Sequence, residues 1–280
     1  MTSYKACVDI GGTKTIFALV DSRLRIKKSH YIPTPQNRLE FIEMFSKELF
    51  RLSKFSNILN ISIAGRVDKN GRVILSHNLP LLGVNIAEKA EKFFRHVEID
   101  NDANCFAVYN LFKRPEIKKK SCLIIVWGTG IGGAFIDKGR LFRRGSLATE
   151  IGHIKLFDRE KQDIESLIGG KYVEAKYGIP GEKLEKLASS GNEKAIEIFR
   201  TISKEFGRFI VSMSYIFDPD MIILGGSFVN SWKFIRMGVE NTVKKEGIKK
   251  TVMIRPVHGK FYVIKGCYFL DEYERAYNKL

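Results

Sequence analysis

The sequence is short of several features that a chain of 280 residues could carry. Its longest apolar runs, such as "CLIIVW" and "MIIL", fall far below the roughly 20 residues that cross a bilayer as a helix. No basic region, apolar core and small-residue cleavage site precede the first strand-like stretch, "YKACVDI". A soluble, cytoplasmic protein without an export signal is therefore expected. Cys7, Cys105, Cys122 and Cys267 lie far apart and form no C-x-x-C pair. That spacing argues against a zinc site or disulfide framework and for buried free thiols in a reducing compartment. Glutamine occurs only at Gln36 and Gln162, which with abundant lysine is the balance of heat-adapted proteins. No low-complexity linker is present, so any two lobes are expected to be closely packed.

Positive charge is plentiful but dispersed. Lys and Arg number 47 against 31 Asp and Glu, a formal +16, spread over "IKKS", "KKKS", "FRRG", "VKKEG" and "IKKT". No basic run is interleaved with aromatics, and no helix-turn-helix or zinc-finger spacing occurs. The pattern is that of a solvated basic surface, with neither a specific nucleic acid nor a membrane as partner. Apolar residues make up 44%, enough for a large single domain or two modest ones with real cores.

Segment 4–9 reads as a strand, "GGTK" (11–14) as a turn and 15–21 as a second strand. "CLIIVW" (122–127), "GTGIGG" (128–133) and "AFIDKGRL" (134–141) repeat that plan, which suggests a duplicated architecture with one glycine hairpin per lobe. Helices are expected over 38–55, with Leu39, Ile42, Phe45, Leu49 and Leu52 on one face, and over 85–95, 103–113 and 192–217. "MIILGGS" reads as a buried strand, a glycine turn and a helix from 229; "TVMIRPV" and "KFYVI" are strand-like, before a last helix at 266–279. Strands alternating with helices make an α/β protein.

Gly128, Gly130 and Gly133 have G-x-G-x-x-G spacing. A dinucleotide fingerprint requires the loop to open a helix, but "AFIDKG" follows, broken by Gly139. No G-x-x-x-x-G-K-[ST] occurs, and neither H-R-D nor D-F-G is present for a protein kinase. What remains is a hairpin turn whose backbone N–H groups can cradle an anion.

Four stretches combine residue types suited to chemistry. "VDIGGTK" (Val8 to Lys14) offers the Asp9 carboxylate to a hydrated metal ion and main-chain amides to phosphate, or is simply a tight hairpin. "EIDNDANCFA" places Asp100, Asn101 and Asp102 between a strand and a helix, either as a helix cap or as a general base for a hydroxyl. "ATEIGHIKL" sets Glu150 and His153 three apart around a glycine, but no cysteine lies between Cys122 and Cys267 to complete a structural zinc site. "ILGGS" is a strand-to-helix turn whose glycine pair could lie against an adenosine.

Taken in order, these stretches make the chain resemble a sugar kinase of the ROK family (repressor, open reading frame, kinase), in the superfamily of actin, Hsp70 and hexokinase. The resemblance runs through "DIGGTKT", "SIAGRVD", "SHNLP", "DNDAN", "GTGIGG", "EIGH" and "ILGGS". It implies a two-lobed, actin-like ATPase (ribonuclease H-like) fold with duplicated α/β domains and an ATP/sugar cleft between them. Residues 1–104 with 266–280 would form the small lobe and 105–265 the large one.

The implied activity is ATP-dependent phosphorylation of a hexose, of glucokinase or broad hexokinase type, with N-acetylmannosamine or fructose as alternative substrates. A sugar sensor that has lost catalysis is the alternative of another class, which a retained Asp102 disfavours. By position, Asp102 would be the general base, with Asn101 beside it. Gly65, Asn78, Glu150, His153 and Glu165 would line the sugar. Asp9 would hold Mg²⁺, through water, and Gly11, Gly12, Thr13 and Lys14 would face the phosphates, with Gly128, Thr129 and Gly130 opposite. Gly225 and Gly226 would lie under adenosine. A homodimer is a further family expectation. Most members follow the "EIGH" motif with a cysteine-rich zinc loop; here "DREKQDIESLIGG" has no cysteine, so no zinc is expected and His153 would keep only a sugar role.

Overall fold

The structure, a computed structural model, describes residues 4–76, 78–143, 149–155, 162–248, 253–257 and 261–277. The chain divides into two compact units: residues 1–115, 143–148 and 260–280, and residues 116–142 and 149–259. The expected lobe boundary at 104/105 falls inside a helix of the first unit.

The first unit opens with β1 (Lys5–Ile10), β2 (Lys14–Val20) and β3 (Ile26–Pro33), then α1 (Arg38–Ser53) and β4 (Ile58–Ile63). A small ribbon of β5 (Arg66–Val67) and β6 (Val73–Leu75) follows, then α2 (Ile86–Glu91), β7 (His96–Asn101) and α3 (Asp102–Lys113). The sheet order is β3-β2-β1-β4-β7. β1 pairs antiparallel with β2 and parallel with β4, and β4 pairs parallel with β7. β3 is mostly exposed and carries Lys27 and Lys28, the charged blunting usual of an edge strand. Phe41, Phe45 and Leu49 of α1 join Ile10, Phe17 and Ile61 in the core. Leu39, expected on that face, is instead 76% exposed. It stands directly after the side-chain cap made by Asn37, and the buried stripe starts two residues later.

The second unit repeats the plan with β8 (Ser121–Trp127), β9 (Ile131–Asp137) and β10 (Arg140–Leu141). The single strand expected over 134–141 is split by a turn at Lys138 and Gly139, both at positive φ. Three short helices follow, α4 (Ile164–Ile168), α5 (Gly170–Tyr177) and α6 (Gly181–Ser189), then the long α7 (Glu193–Phe217), β11 (Met221–Gly225), α8 (Trp232–Lys245) and β12 (Met253–Pro256). The order β10-β9-β8-β11-β12 matches that of the first sheet, with the same antiparallel and parallel pairings. The duplication expected from the two glycine hairpins is therefore present strand for strand. β11 is buried along its whole length, as an interior parallel strand should be. The Trp127 ring is sandwiched by Phe206 and Phe228, with centroids 4.2 and 4.6 Å away.

The chain ends in the first unit with α9 (Tyr262–Cys267) and α10 (Leu270–Tyr277). The stretch "KFYVI", expected as a strand, therefore supplies the first turn of α9 from Tyr262 onward. Tertiary packing overrides its aromatic and β-branched character: Ile264 and Cys267 are buried, and Tyr262 packs on Phe106 of α3. All four cysteines are buried free thiols, and Cys267 Sγ lies 3.8 Å from Cys105 Sγ. Gly266 permits this approach, since a Cβ there would stand 1.9 Å from the Cys105 carbonyl oxygen. Gly266→Ala must push α9 away from α3, and the expected loss is about 1–3 kcal/mol, the scale of overpacking, read as a lowered urea midpoint.

Candidate functional site

In the first unit, three parallel strands end in register. Ile10 of β1 pairs with Ile63 of β4, which pairs with Asn101 of β7. The residues one step beyond, Gly11, Ala64 and Asp102, are thereby collected at the carboxyl edge of the sheet, where open α/β folds bind ligands.

The turn after β1 has its acceptors consumed from within. The Gly11 carbonyl accepts from Thr34 Oγ1 at 2.7 Å, that of Gly12 from Gln36 Nε2 at 3.1 Å and that of Thr13 from Thr34 N at 3.1 Å. The Gly11 amide donates to the Lys14 carbonyl at 3.1 Å, so a turn so tied presents the amides after Gly11, rather than carbonyls, to an anion. Thr13 and Lys14 are exposed, and Lys14 Nζ lies 5.6 Å from the Tyr31 ring centre. Asn78 abuts the turn: a Cβ on Gly12 would come within 2.8 Å of Asn78 Cβ. The sequence-expected Gly12 and Asn78 are thus neighbours.

At the start of α3, Asn101 is the cap. Its Oδ1 accepts from Ala103 N (2.8 Å) and Asn104 N (3.4 Å), while its Nδ2 donates to the Gly65 carbonyl at 3.2 Å. Asp102 is the first helical residue and half-buried, its Oδ1 accepting from Ala103 N at 2.8 Å. Because Asn101 fills the cap position, the helix does not depend on Asp102 for that role.

Asp9, near the end of β1, accepts from Ser62 Oγ at 2.7 Å. Burial pushes its carboxyl up to about 6, against the opposing pull of Ser62 and Lys14. Among the described residues no group of three or more His, Cys, Asp or Glu is gathered for a metal. A Mg²⁺ ion needs no such cage, since it keeps several waters and takes one or two carboxylates plus substrate phosphates. Asp9 meets that requirement.

Sequence reasoning missed the sheet face on which Asp9 stands. Register aligns Cys7, Asn60 and Glu98 in one row and Asp9, Ser62 and Asp100 in the next. Lys5 is buried beside them, donating to Asp271 at 2.6 Å and Glu272 at 2.8 Å. Burial, with Glu274 and Asp271 adding repulsion, pushes Glu98 up to about 7. Only the pairing of strands distant in sequence could have revealed this face.

In the second unit, the hairpin turn Gly128–Gly130 is braced by α4 and α5. Glu165 Oε2 accepts from Ile131 N at 2.7 Å, the Gly128 carbonyl from Gly170 N at 2.9 Å and the Thr129 carbonyl from Lys171 N at 2.9 Å. A side chain at Gly130 would collide with Glu165. Gly226, at φ 89°, passes so close to β8 that a Cβ would stand 2.1 Å from the Trp127 carbonyl oxygen; Gly225 closes β11 before it. Glu150 precedes the short 3-10 turn Ile151–His153, after Thr149 in the left-handed region at φ 67°. His153 Nδ1 lies 3.4 Å from Asp163 Oδ2. Asp163 also caps α4 and binds Lys155 at 3.2 Å, an anchoring role not read from the sequence.

Two sheets of matching order, each with a glycine turn between its first two strands, define an actin-like ATPase fold. The chain belongs to the ROK family, whose pattern matches residues 5–266. It is 26% identical over 297 aligned residues to an N-acetyl-D-glucosamine kinase of Vibrio parahaemolyticus, covering 94% of this chain and 97% of that protein. A ROK family glucokinase from Streptomyces griseus, solved with glucose and AMPPNP, superposes with a TM-score of 0.81 at 21% identity, over 95% of this chain and 98% of that one. A ROK family protein from Streptococcus pneumoniae, solved with sucrose, gives a TM-score of 0.80 at 26% identity, over 99% and 100%. Among the described residues no helix is long and apolar enough to cross a membrane.

The raised Glu98 carboxyl has a consequence for stability. The folded state holds this proton more tightly than the unfolded chain, whose carboxyl titrates near 4.5. The contribution is therefore fully present below that pH and lost as pH rises through about 7. Glu98→Gln should raise the melting temperature at pH 8, with the difference from the parent shrinking toward pH 5, measured by paired thermal melts.

Proposed function

We propose that this protein is an ATP-dependent sugar kinase that transfers the γ-phosphoryl group to a hexose hydroxyl, the 6-hydroxyl of glucose or of its 2-acetamido derivative. The observation that carries the reading is the gathering of Asp9, the Gly11–Lys14 turn, Gly65, Asn101 and Asp102 at one edge of one sheet. The kinase names of its relatives in the ROK family support it.

Asp102 is the general base: its carboxylate takes the proton of the attacking hydroxyl as that oxygen bonds to the γ-phosphorus and the bond to the ADP oxygen breaks. Asn101, fixed by Gly65, and Asn78 orient the sugar. Glu150, His153 and Glu165 are the further hydroxyl partners. Gly11 to Lys14 and Gly128 to Gly130 face the phosphates, whose oxygens are bound by amides beyond those of Gly11 and Gly128, which donate to the Lys14 and Gly130 carbonyls at 3.1 and 3.0 Å; Gly225 and Gly226 leave room for adenosine. Asp9 would hold Mg²⁺ through water, and that ion, when bound, neutralises charge on the phosphate oxygens.

The test is ADP release with MgATP and glucose, mannose, fructose, glucosamine, N-acetylglucosamine or N-acetylmannosamine. Turnover on at least one sugar is expected, with Asp102→Asn losing about 10²- to 10⁴-fold in kcat while sugar binding by calorimetry persists. Sugar binding without turnover by the parent would overturn the kinase reading in favour of a sensor.

A further inference from the structure

Arg143 follows β10 in the chain and belongs to the first unit. Its guanidinium pairs with Asp100 at the end of β7 and with Glu274 of α10. It also lies over the Tyr273 ring, 5.3 Å from its centre. No sequence motif singles it out, and the sugar kinase reading gives it no role.

Its partner Asp100 is built into the first turn of α3. Asp100 Oδ1 accepts from Asn101 N and from Asn104 Nδ2, each at 2.7 Å. The Asn104 amide is held by this bond although its buried Oδ1 finds no partner among the described residues. Asp100 thus fixes Asn101 and Asn104, on either side of Asp102, and Arg143 fixes Asp100.

Charge gives Arg143 a second task. The titratable groups around this end of α3 are predominantly acidic: Asp9 from β1, Glu98 and Asp100 from β7, and Asp271 and Glu274 from α10. The neutral ones are Cys105 of α3, Cys267 and Tyr262 of α9 and Tyr273 of α10. Among the cations, Lys5 and Arg275 are engaged by Asp271, and Lys14 acts on Asp9. Arg66 of β5, which packs against β7, is buried, and among the described residues Arg143 is the cation paired with Asp100.

We propose that Arg143 is a positioning residue for Asp102, locking the first turn of α3 through Asp100 and cancelling the carboxylate charge two residues before the base. The inference rests on the reading of Asp102 as a general base. Without the guanidinium, Asp102 would face an uncompensated like charge, which favours its protonated form.

The test has one arm that needs no activity. The Asp102 carboxyl is followed by carbon-detected NMR titration, assigned with Asp102→Asn, in the parent, Arg143→Gln, Arg143→Lys and the double variant Asp100→Asn/Arg143→Gln. Arg143→Gln should raise the Asp102 midpoint by roughly half to one pH unit, the scale of a partly screened like charge. Arg143→Lys should restore most of it, and the double variant should return it to near the parent value. In the second arm, the acid limb of kcat/KM should move to higher pH by the same amount in Arg143→Gln, with turnover recovering above pH 8. An unchanged midpoint in folded Arg143→Gln, or equal loss of kcat/KM at all pH values, would overturn the proposal. A parent without turnover would sink the kinase reading alone, leaving the titration to decide the charge relation.

Discussion

The constraint on which the first unit depends is the common end point of three parallel strands. β1 must turn back at once into β2, while β4 and β7 stop level with it. A chain reversing there has room for little besides backbone, because Asn78 stands against Gly12 and the Leu75 carbonyl against Gly65. Glycine is thus required for packing as well as for any anion. The reversal also brings the turn's carbonyls within reach of Thr34 and Gln36. Once those bonds are made, the turn has become a donor surface. The phosphate binding proposed for this turn would follow from how the hairpin closes.

The polar face behind that edge is the costly part of the same arrangement. A sheet face covered by helices would be most stable if apolar, yet this one holds Lys5, Asn60, Ser62, Asp9 and Asp100. Buried charge is tolerated only where paired and hydrogen-bonded, and the pairing is largely complete. Lys5 meets Asp271 and Glu272, Ser62 meets Asp9, and Asn104 and Arg143 meet Asp100. Among the described residues the exceptions are the orphaned oxygens of Asn60 and Asn104 and the raised carboxyl of Glu98. Such a network fixes side chains in one arrangement at the expense of stability.

The legible parts of the chain were those whose signal is local. The two glycine hairpins, the long α7 ending before Pro219 and the buried β11 follow from period, turn residues and apolar runs. The ambiguity between cap and base at "DNDAN" was local too, and geometry gives the cap to Asn101, with Asp102 the first residue of the helix. What sequence could not carry was pairing at long range. "KFYVI" has strand-like residues, but Gly266 lets α9 lie against α3, a partner about 160 residues earlier. Arg143 sits in a stretch with no motif, and its meaning comes from Asp100, 43 residues away. Glu165 could be aligned with a family position, but not its bond to Ile131 N.

That bond changes how the second unit should be understood. Glu165 stands on α4, whose start is set by the Asp163–Ser166 capping box, and the same Asp163 also holds His153 and Lys155. One carboxylate therefore ties the "EIGH" turn to a helix, and the next acidic residue, Glu165, anchors the Gly128–Gly130 hairpin. The Glu165 attachment, a carboxylate accepting from a backbone amide at 2.7 Å, is of the stronger class of hydrogen bond; the His153 contact, at 3.4 Å, is longer. A stretch without a single cysteine can thus tie two turns to one short helix through ordinary carboxylates. Any role of Glu165 toward a sugar must be compatible with one of its oxygens being already committed to the hairpin.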